Sequence, residues 1–247
     1  MPQREYRFRS LTSSNYLPTG VKWLLIANVA VFLPYYLSAG TALHDYLTAI
    51  VSLSAQGVLR TFMLWQFASY MFLHGTILHI LFNMLTLWMF GMSLEQEWGT
   101  RRFLRYYFLC GLAAAVCVLA VNVALGEWHV HTLGASGAIF GLLVAFGMLY
   151  PNQVVLMMFL FPIKAKYMVM IYAGIELLLT FGPNTGVSTI AHLGGMAFGY
   201  VYLKSRWQYK RLSMPDIRGA YRQWRLARAK KKFQVYMRKQ GRGPWVN

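Results

Sequence analysis

Ser136 and His192 are the two residues of this chain whose types and surroundings best suit chemistry. Each opens an apolar segment, in Gly134-Ala-Ser-Gly137 and in Ala191-His-Leu-Gly-Gly195. A serine hydroxyl is a weak nucleophile until a base removes its proton, and histidine titrates in the range that allows this. Acyl transfer also needs donors aimed at the oxyanion that develops. His79 and Asn83 are spaced i, i+4 in another apolar segment, so on a helix both point at one spot. The backbone N–H of Ser136 is a third candidate donor, because a residue at a helix start has no intrahelical acceptor. Phe140 stands one turn beyond Ser136 and can stack on the imidazole to hold its plane. The sequence places no Asp or Glu to orient His192, so the expectation is a Ser–His dyad.

Such residues work only if their segments bring them to one depth. The chain has 247 residues, 57% hydrophobic and 13% charged. A soluble domain carries about 25% charged residues, so the composition predicts a polytopic membrane protein, and its span-length apolar runs an all-α one. About 20 apolar residues are needed per crossing. Six segments qualify, at roughly 21–40, 72–92, 103–125, 134–151, 166–182 and 186–204. The apolar stretch 153–163, bracketed by Pro151 and Pro162, is too short to cross and reads as an interfacial segment. The polar start, Met1 to Tyr16, precedes an apolar run with no small-residue cleavage site, so that run is expected to stay as the first span.

Lys and Arg placement sets orientation. Arg4, Arg7, Arg9 and Lys22 lie at the N-terminus, Arg101, Arg102 and Arg105 in the second connection, and Lys164 and Lys166 in the fourth. From Lys204 onward fourteen Lys/Arg face one acid, Asp216, whereas the first connection has only Arg60 and the third and fifth have none. Both termini are therefore expected on the cytoplasmic side. The organisation predicted is a cytoplasmic segment over 1–20, a six-span unit over 21–204 and a basic, helical cytoplasmic tail over 205–247. Most of the net charge of +17 sits on that side. In the tail, Tyr221-Arg-Gln-Trp-Arg-Leu-Ala-Arg-Ala-Lys-Lys-Lys-Phe interleaves bases with aromatics. Beside a span, anionic lipid is the simpler partner for it than RNA or a ribosome.

With the N-terminus inside, the second, fourth and sixth spans begin at the outer face. Their polar residues gather there: His74, His79 and Asn83, then Ser136, then His192. Ionisable groups within spans usually face a bundle interior or a wet cavity, which is what this convergence suggests. Gly137 and Gly141 on the fourth span, and Gly195 and Gly199 on the sixth, are each four apart and clear one helix face for close approach. Contact along those faces brings hydroxyl and imidazole together. Cys110 and Cys117, seven apart on one face, are expected to pack as thiols without a mutual disulfide. Glu95, at the inner end of the second span, reads as a brace or cap, and Glu176 in the fifth as a structural hydrogen-bonding group.

The combination of Gly134-Ala-Ser-Gly137 and Ala191-His-Leu-Gly-Gly195 with His74, His79 and Asn83 before them resembles the rhomboid intramembrane serine proteases. The similarity extends to Trp65-Gln66 and Tyr70-Met-Phe-Leu-His74 ahead of the second span and to Glu95 and Gly99 after it, covering roughly 20–204. The resemblance implies a six-helix rhomboid-like bundle with a recessed aqueous cavity. It implies Ser136 as nucleophile, His192 as base and then acid, and His79, Asn83 and the Ser136 amide as the oxyanion hole, with Phe140, Gly134, Gly137, Gly195 and Gly199 in support. It also implies transmembrane protein substrates and no metal or other cofactor. The chain departs from some members in lacking a Trp-Arg pair over 41–64. It departs again in carrying Phe140 where others have tyrosine, which keeps stacking but removes a hydroxyl.

Two other classes compete. A membrane cytochrome or metal carrier would use His79 and His192 as ligands. Against it, His74 and His79 are five apart, about 140° around a helix, and there is no His-Glu-x-x-His motif. A silent relative that escorts membrane proteins is expected to lack the serine or the histidine, and this chain keeps both. The compact length and the polar start favour a bacterial plasma membrane, with the site opening to the outer face.

Overall fold

The computed structural model describes residues 17–157, 160–182 and 186–205, the side chains of 186–188 excepted. Most of the expected cytoplasmic segment over 1–20, and the basic tail after Ser205, lie outside the described residues. In chain order the helices are α1 (Thr19–Leu37), α2 (Ala42–Val51), α3 (Gln66–Ser69), α4 (Ile77–Trp98), α5 (Thr100–Ala124), α6 (Ser136–Leu149), α7 (Ala165–Thr180) and α8 (Gly186–Lys204). The six long ones occupy the six apolar segments. Among the described residues α1, α4 and α5 (to Leu125) are long and apolar enough to cross a bilayer.

Local chemistry sets the ends of these helices. Helix α4 starts at Ile77, five residues later than the 72–92 reading, and runs on to Trp98. Thr76 is extended and its hydroxyl accepts the His79 N–H at 3.1 Å, capping the helix there. Residues Tyr70–Phe72 form a 3₁₀ turn instead, which leaves His74 in the loop before the helix. Gly99, at φ +78°, ends α4 and turns the chain into α5.

The Glu95 carboxylate closes this end of the bundle. It accepts the N–H groups of Gly20 and Val21, both at 2.7 Å, and the Thr100 hydroxyl at 2.6 Å. Two of the orphan donors at the start of α1 are thereby satisfied in a buried place. Glu95→Ala strands both donors and is expected to lower the unfolding free energy by about 2 kcal/mol. Reversible unfolding in mixed micelles measures this, and a wild-type value would mean that water replaces the carboxylate there.

Helix α6 is buried nearly all round, as a central helix must be when it is apolar on every face. Around it, Tyr106 on α5 donates its hydroxyl to the Gly141 carbonyl at 2.8 Å, and Tyr70 donates to the Gly111 carbonyl at 2.7 Å. Cys110 and Cys117 are free thiols. They fill the space beside Gly141 and Gly194, where an added Cβ would come within 2.6 Å and 2.9 Å of their sulfurs.

The architecture is not helical throughout. The stretch read as interfacial is an antiparallel hairpin, β1 (Val154–Met157) paired with β2 (Phe161–Lys164). Val154, Val155 and Ile163 are β-branched, and Pro162 cannot continue a helix. The first connection is also ordered. Buried Gln66 donates to the Ala49 carbonyl at 2.9 Å and accepts the Ser54 N–H at 3.2 Å, and Ser69 donates to the Val51 carbonyl at 2.7 Å. Leu53 and Thr132 exchange backbone hydrogen bonds at 2.8 Å, which ties this connection to the loop leading into α6.

Candidate active site

The loop before α6 fixes where Ser136 stands. Gly134 adopts φ +121°, a conformation that side chains rarely tolerate, and its N–H donates to the Tyr70 carbonyl at 2.9 Å. A Cβ on Gly134 would also lie 2.8 Å from both Cε1 and Nε2 of His79. Only glycine allows the backbone and the imidazole to approach this closely. The chain then enters α6 with Ser136 as its first residue, so the Ser136 N–H points outward with no intrahelical acceptor.

The glycines bring α8 to this point. A Cβ on Gly195 would overlap the Gly137 carbonyl oxygen, and one on Gly141 would lie 3.3 Å from the Gly195 carbonyl. One on Gly199 would lie 3.3 Å from the Gly141 Cα and would overlap the Tyr106 hydroxyl. Helices α6 and α8 therefore touch backbone to backbone. At the head of that contact His192 Nε2 lies 2.8 Å from Ser136 Oγ. Phe140 stacks on the imidazole, with ring centroids 4.2 Å apart and planes 15° from parallel. Tyr172 of α7 in turn meets Phe140 edge-on at 6.1 Å.

The His79 ring packs against Gly134, two residues before Ser136. The same added Cβ on Gly134 would lie 3.8 Å from Ser136 Oγ. Asn83 donates its amide to the His79 carbonyl at 2.9 Å, within its own helix. Its second N–H remains for another acceptor. His74 is fully buried, and its Nε2 accepts the Ala135 N–H at 3.5 Å. The rings of His74 and His79 meet edge to face at 4.9 Å. The 140° separation inferred for these two histidines fails because His74 is not on the helix. Among the described residues no three His, Cys, Asp or Glu side chains are grouped to hold a metal ion.

One expectation is overturned. An acid does face His192: Glu176 Oε2 lies 3.0 Å from its Nδ1. The approach is off the axis of the ring N–H and so falls short of hydrogen-bond geometry. A readable signal existed. Helices α7 and α8 are joined by only a few residues, and Glu176 and His192 stand at similar distances from that turn.

The arrangement joins a hydroxyl at a helix N-terminus, a hydrogen-bonded imidazole and the backbone N–H donors of that terminus. The positive end of the helix and those donors favour negative charge at this point. The chain matches the Rhomboid domain over residues 61–208 and belongs to the rhomboid family. With its apolar helices it is an integral membrane protein. It is 32% identical over 140 residues to RHOMBOID-like protein 4 of Arabidopsis thaliana, covering 56% of this chain and 32% of that protein. It is 27% identical over 182 residues to Rhomboid-like protease 3 of Toxoplasma gondii, covering 72% and 66% respectively. Rhomboid protease GluP of Bacillus subtilis is 32% identical over 139 residues, covering 55% and 25%. The chain thus spans between a quarter and two thirds of the length of these curated relatives.

Proposed function

We propose that this chain is an intramembrane serine endopeptidase that cuts the transmembrane segments of other membrane proteins. The 2.8 Å approach of His192 Nε2 to Ser136 Oγ, at the first residue of a buried helix, carries this reading. Two relatives whose names identify them as proteases support it.

The geometry supports the following course of reaction. His192 Nε2 takes the hydroxyl proton as Ser136 Oγ attacks the scissile carbonyl. The resulting oxyanion meets the Ser136 N–H, with His79 and Asn83 as the other donors. The imidazolium then returns its proton to the leaving amine, and the C–N bond breaks to give an acyl-enzyme. Water enters, loses a proton to Nε2 and releases the acid, and Oγ recovers that proton.

The fold supports a recessed site. Helix α6 has 14 residues, about 21 Å of rise against a hydrocarbon core of about 30 Å. If its inner end lies at the cytoplasmic interface, Ser136 sits well below the outer surface. Lys22, Arg101, Arg102, Arg105, Lys164, Lys166 and Lys204 all fall at one end of the long helices. That end is the cytoplasmic one by the distribution of positive charge, with the site opening on the other side. We read the six long helices over 21–204 as the catalytic unit and the basic tail as a contact for anionic lipid.

Reconstitution into liposomes with a single-span model substrate tests the reading. Wild type is expected to cleave and to be labelled by a fluorophosphonate, while Ser136→Ala does neither. Cleavage that survives in Ser136→Ala refutes it.

A further inference from the structure

The geometry points to Glu176 as a positioning residue for His192, giving this chain a Ser136–His192–Glu176 array in place of a bare dyad. This rests on the protease reading above.

Three observations converge on the imidazole. Its Nε2 faces Ser136 Oγ at 2.8 Å, its flat face lies on Phe140, and its Nδ1 faces the Glu176 carboxylate at 3.0 Å. Among the described residues buried Nδ1 has no other polar partner, and the facing Oε2 has none either. Glu176 is itself buried, at 8% exposure, on a helix whose neighbouring residues are largely apolar. Carboxylates are rare in such segments and generally answer another polar group. Here that group is the base.

The consequence concerns which nitrogen carries the proton. Neutral imidazole has one N–H and one lone pair, and a charge facing one nitrogen biases which of the two carries the proton. An ionised carboxylate at Nδ1 favours the Nδ1–H tautomer, leaving the Nε2 lone pair directed at the serine O–H. When Nε2 takes that proton, the imidazolium sits beside a negative charge. In this scheme the carboxylate forms no bond to substrate. This is the role the acid plays in serine hydrolases of unrelated folds. Phe140 holds the plane of the ring, and Glu176 decides its proton distribution.

The off-axis approach makes the expected effect smaller than for an aligned acid, whose loss costs about 10⁴-fold in kcat. Glu176→Gln preserves shape and removes charge. In proteoliposomes its kcat is expected to fall about 10- to 100-fold with KM little changed. Fluorophosphonate acylation of Ser136 should slow by the same factor, because it reports nucleophile activation without substrate docking. A Gln variant with wild-type kcat and acylation rate overturns the inference.

A second measurement needs no variant of Glu176. In wild type carrying ¹⁵N-histidine, with the His192 signal assigned by its loss in His192→Asn, the neutral ring is expected to hold its proton on Nδ1. An Nε2–H ring, the state that a protonated Glu176 donating to Nδ1 would impose, overturns the inference. Wild type that is folded yet neither cleaves nor labels removes the protease reading itself. Wild type that does both, beside an unaffected Gln variant, removes only the role of Glu176.

Discussion

His192→Ala is expected to lower kcat/KM for a reconstituted single-span substrate by about 10⁴-fold or more. The reason lies in the single hydrogen bond that joins the imidazole to Ser136 Oγ at 2.8 Å. Without it the hydroxyl has no base to receive its proton. Water beside a partly exposed site is a far weaker substitute. The leaving amine would then also depart unprotonated, so one residue serves both halves of the cycle. It follows that the two losses should not multiply. Ser136→Ala combined with His192→Ala should be about as inactive as either alone, because groups that act as a unit are removed once. Any cleavage that remains would come from the N–H donors and from bound water. The measurement is a time course of substrate cleavage for the four proteins, normalised to folded enzyme. His192→Ala at a tenth of wild-type rate or better would detach the histidine from the chemistry. A double variant far worse than both singles would mean that each residue acts alone.

Ser136 and His192 were visible in the sequence because each sits in a short glycine-bearing string at the head of an apolar segment. The two glycine pairs told which helix faces should meet, and the structure has those faces in backbone contact. Helix lengths were less legible. The 72–92 span follows hydropathy, which does not see that Thr76 caps and that Tyr70–Phe72 turns. The signal was present as a threonine three residues before His79 and was outweighed by an unbroken apolar run. Hydropathy therefore carries the helix over His74 and sets it about 140° from His79, whereas His74 lies in the loop with its ring against that of His79. The β1–β2 hairpin was hidden for a related reason, since a short apolar run has no periodicity to separate strand from interfacial helix. Sequence reads Glu176 only as a structural hydrogen-bonding group, and its partner is not legible there because the pairing is rotational. A lone acid in an apolar helix has a definite partner only once the facing of α7 against α8 is known. Composition does not fix that facing.

Close backbone contact also gives the second large expected effect. Gly195→Ala puts a Cβ into the Gly137 carbonyl oxygen and within 2.8 Å of the Gly137 carbonyl carbon. Both atoms are main chain, so no side-chain rotation relieves the overlap and α8 must move off α6. Overpacking of this kind costs about 1–3 kcal/mol of stability. The loss in rate should exceed what that destabilisation alone produces. Ser136 directly precedes Gly137 and His192 lies three residues before Gly195, so whatever separates the glycines also separates Oγ from Nε2. A misplacement of about 1 Å between reacting groups costs about 10²-fold. Gly174→Ala is the control, since a Cβ there meets nothing within 4 Å on an exposed face of α7. Adding a methyl in mid-helix at such a place is expected to be neutral or to stabilise by about 0.5–1 kcal/mol. Unfolding in mixed micelles and cleavage in liposomes, run on both variants, separate the two contributions. If Gly195→Ala cleaves as fast as Gly174→Ala, the α6–α8 contact does not set the distance between hydroxyl and imidazole. In that case the glycine faces would be packing devices with no hold over the chemistry.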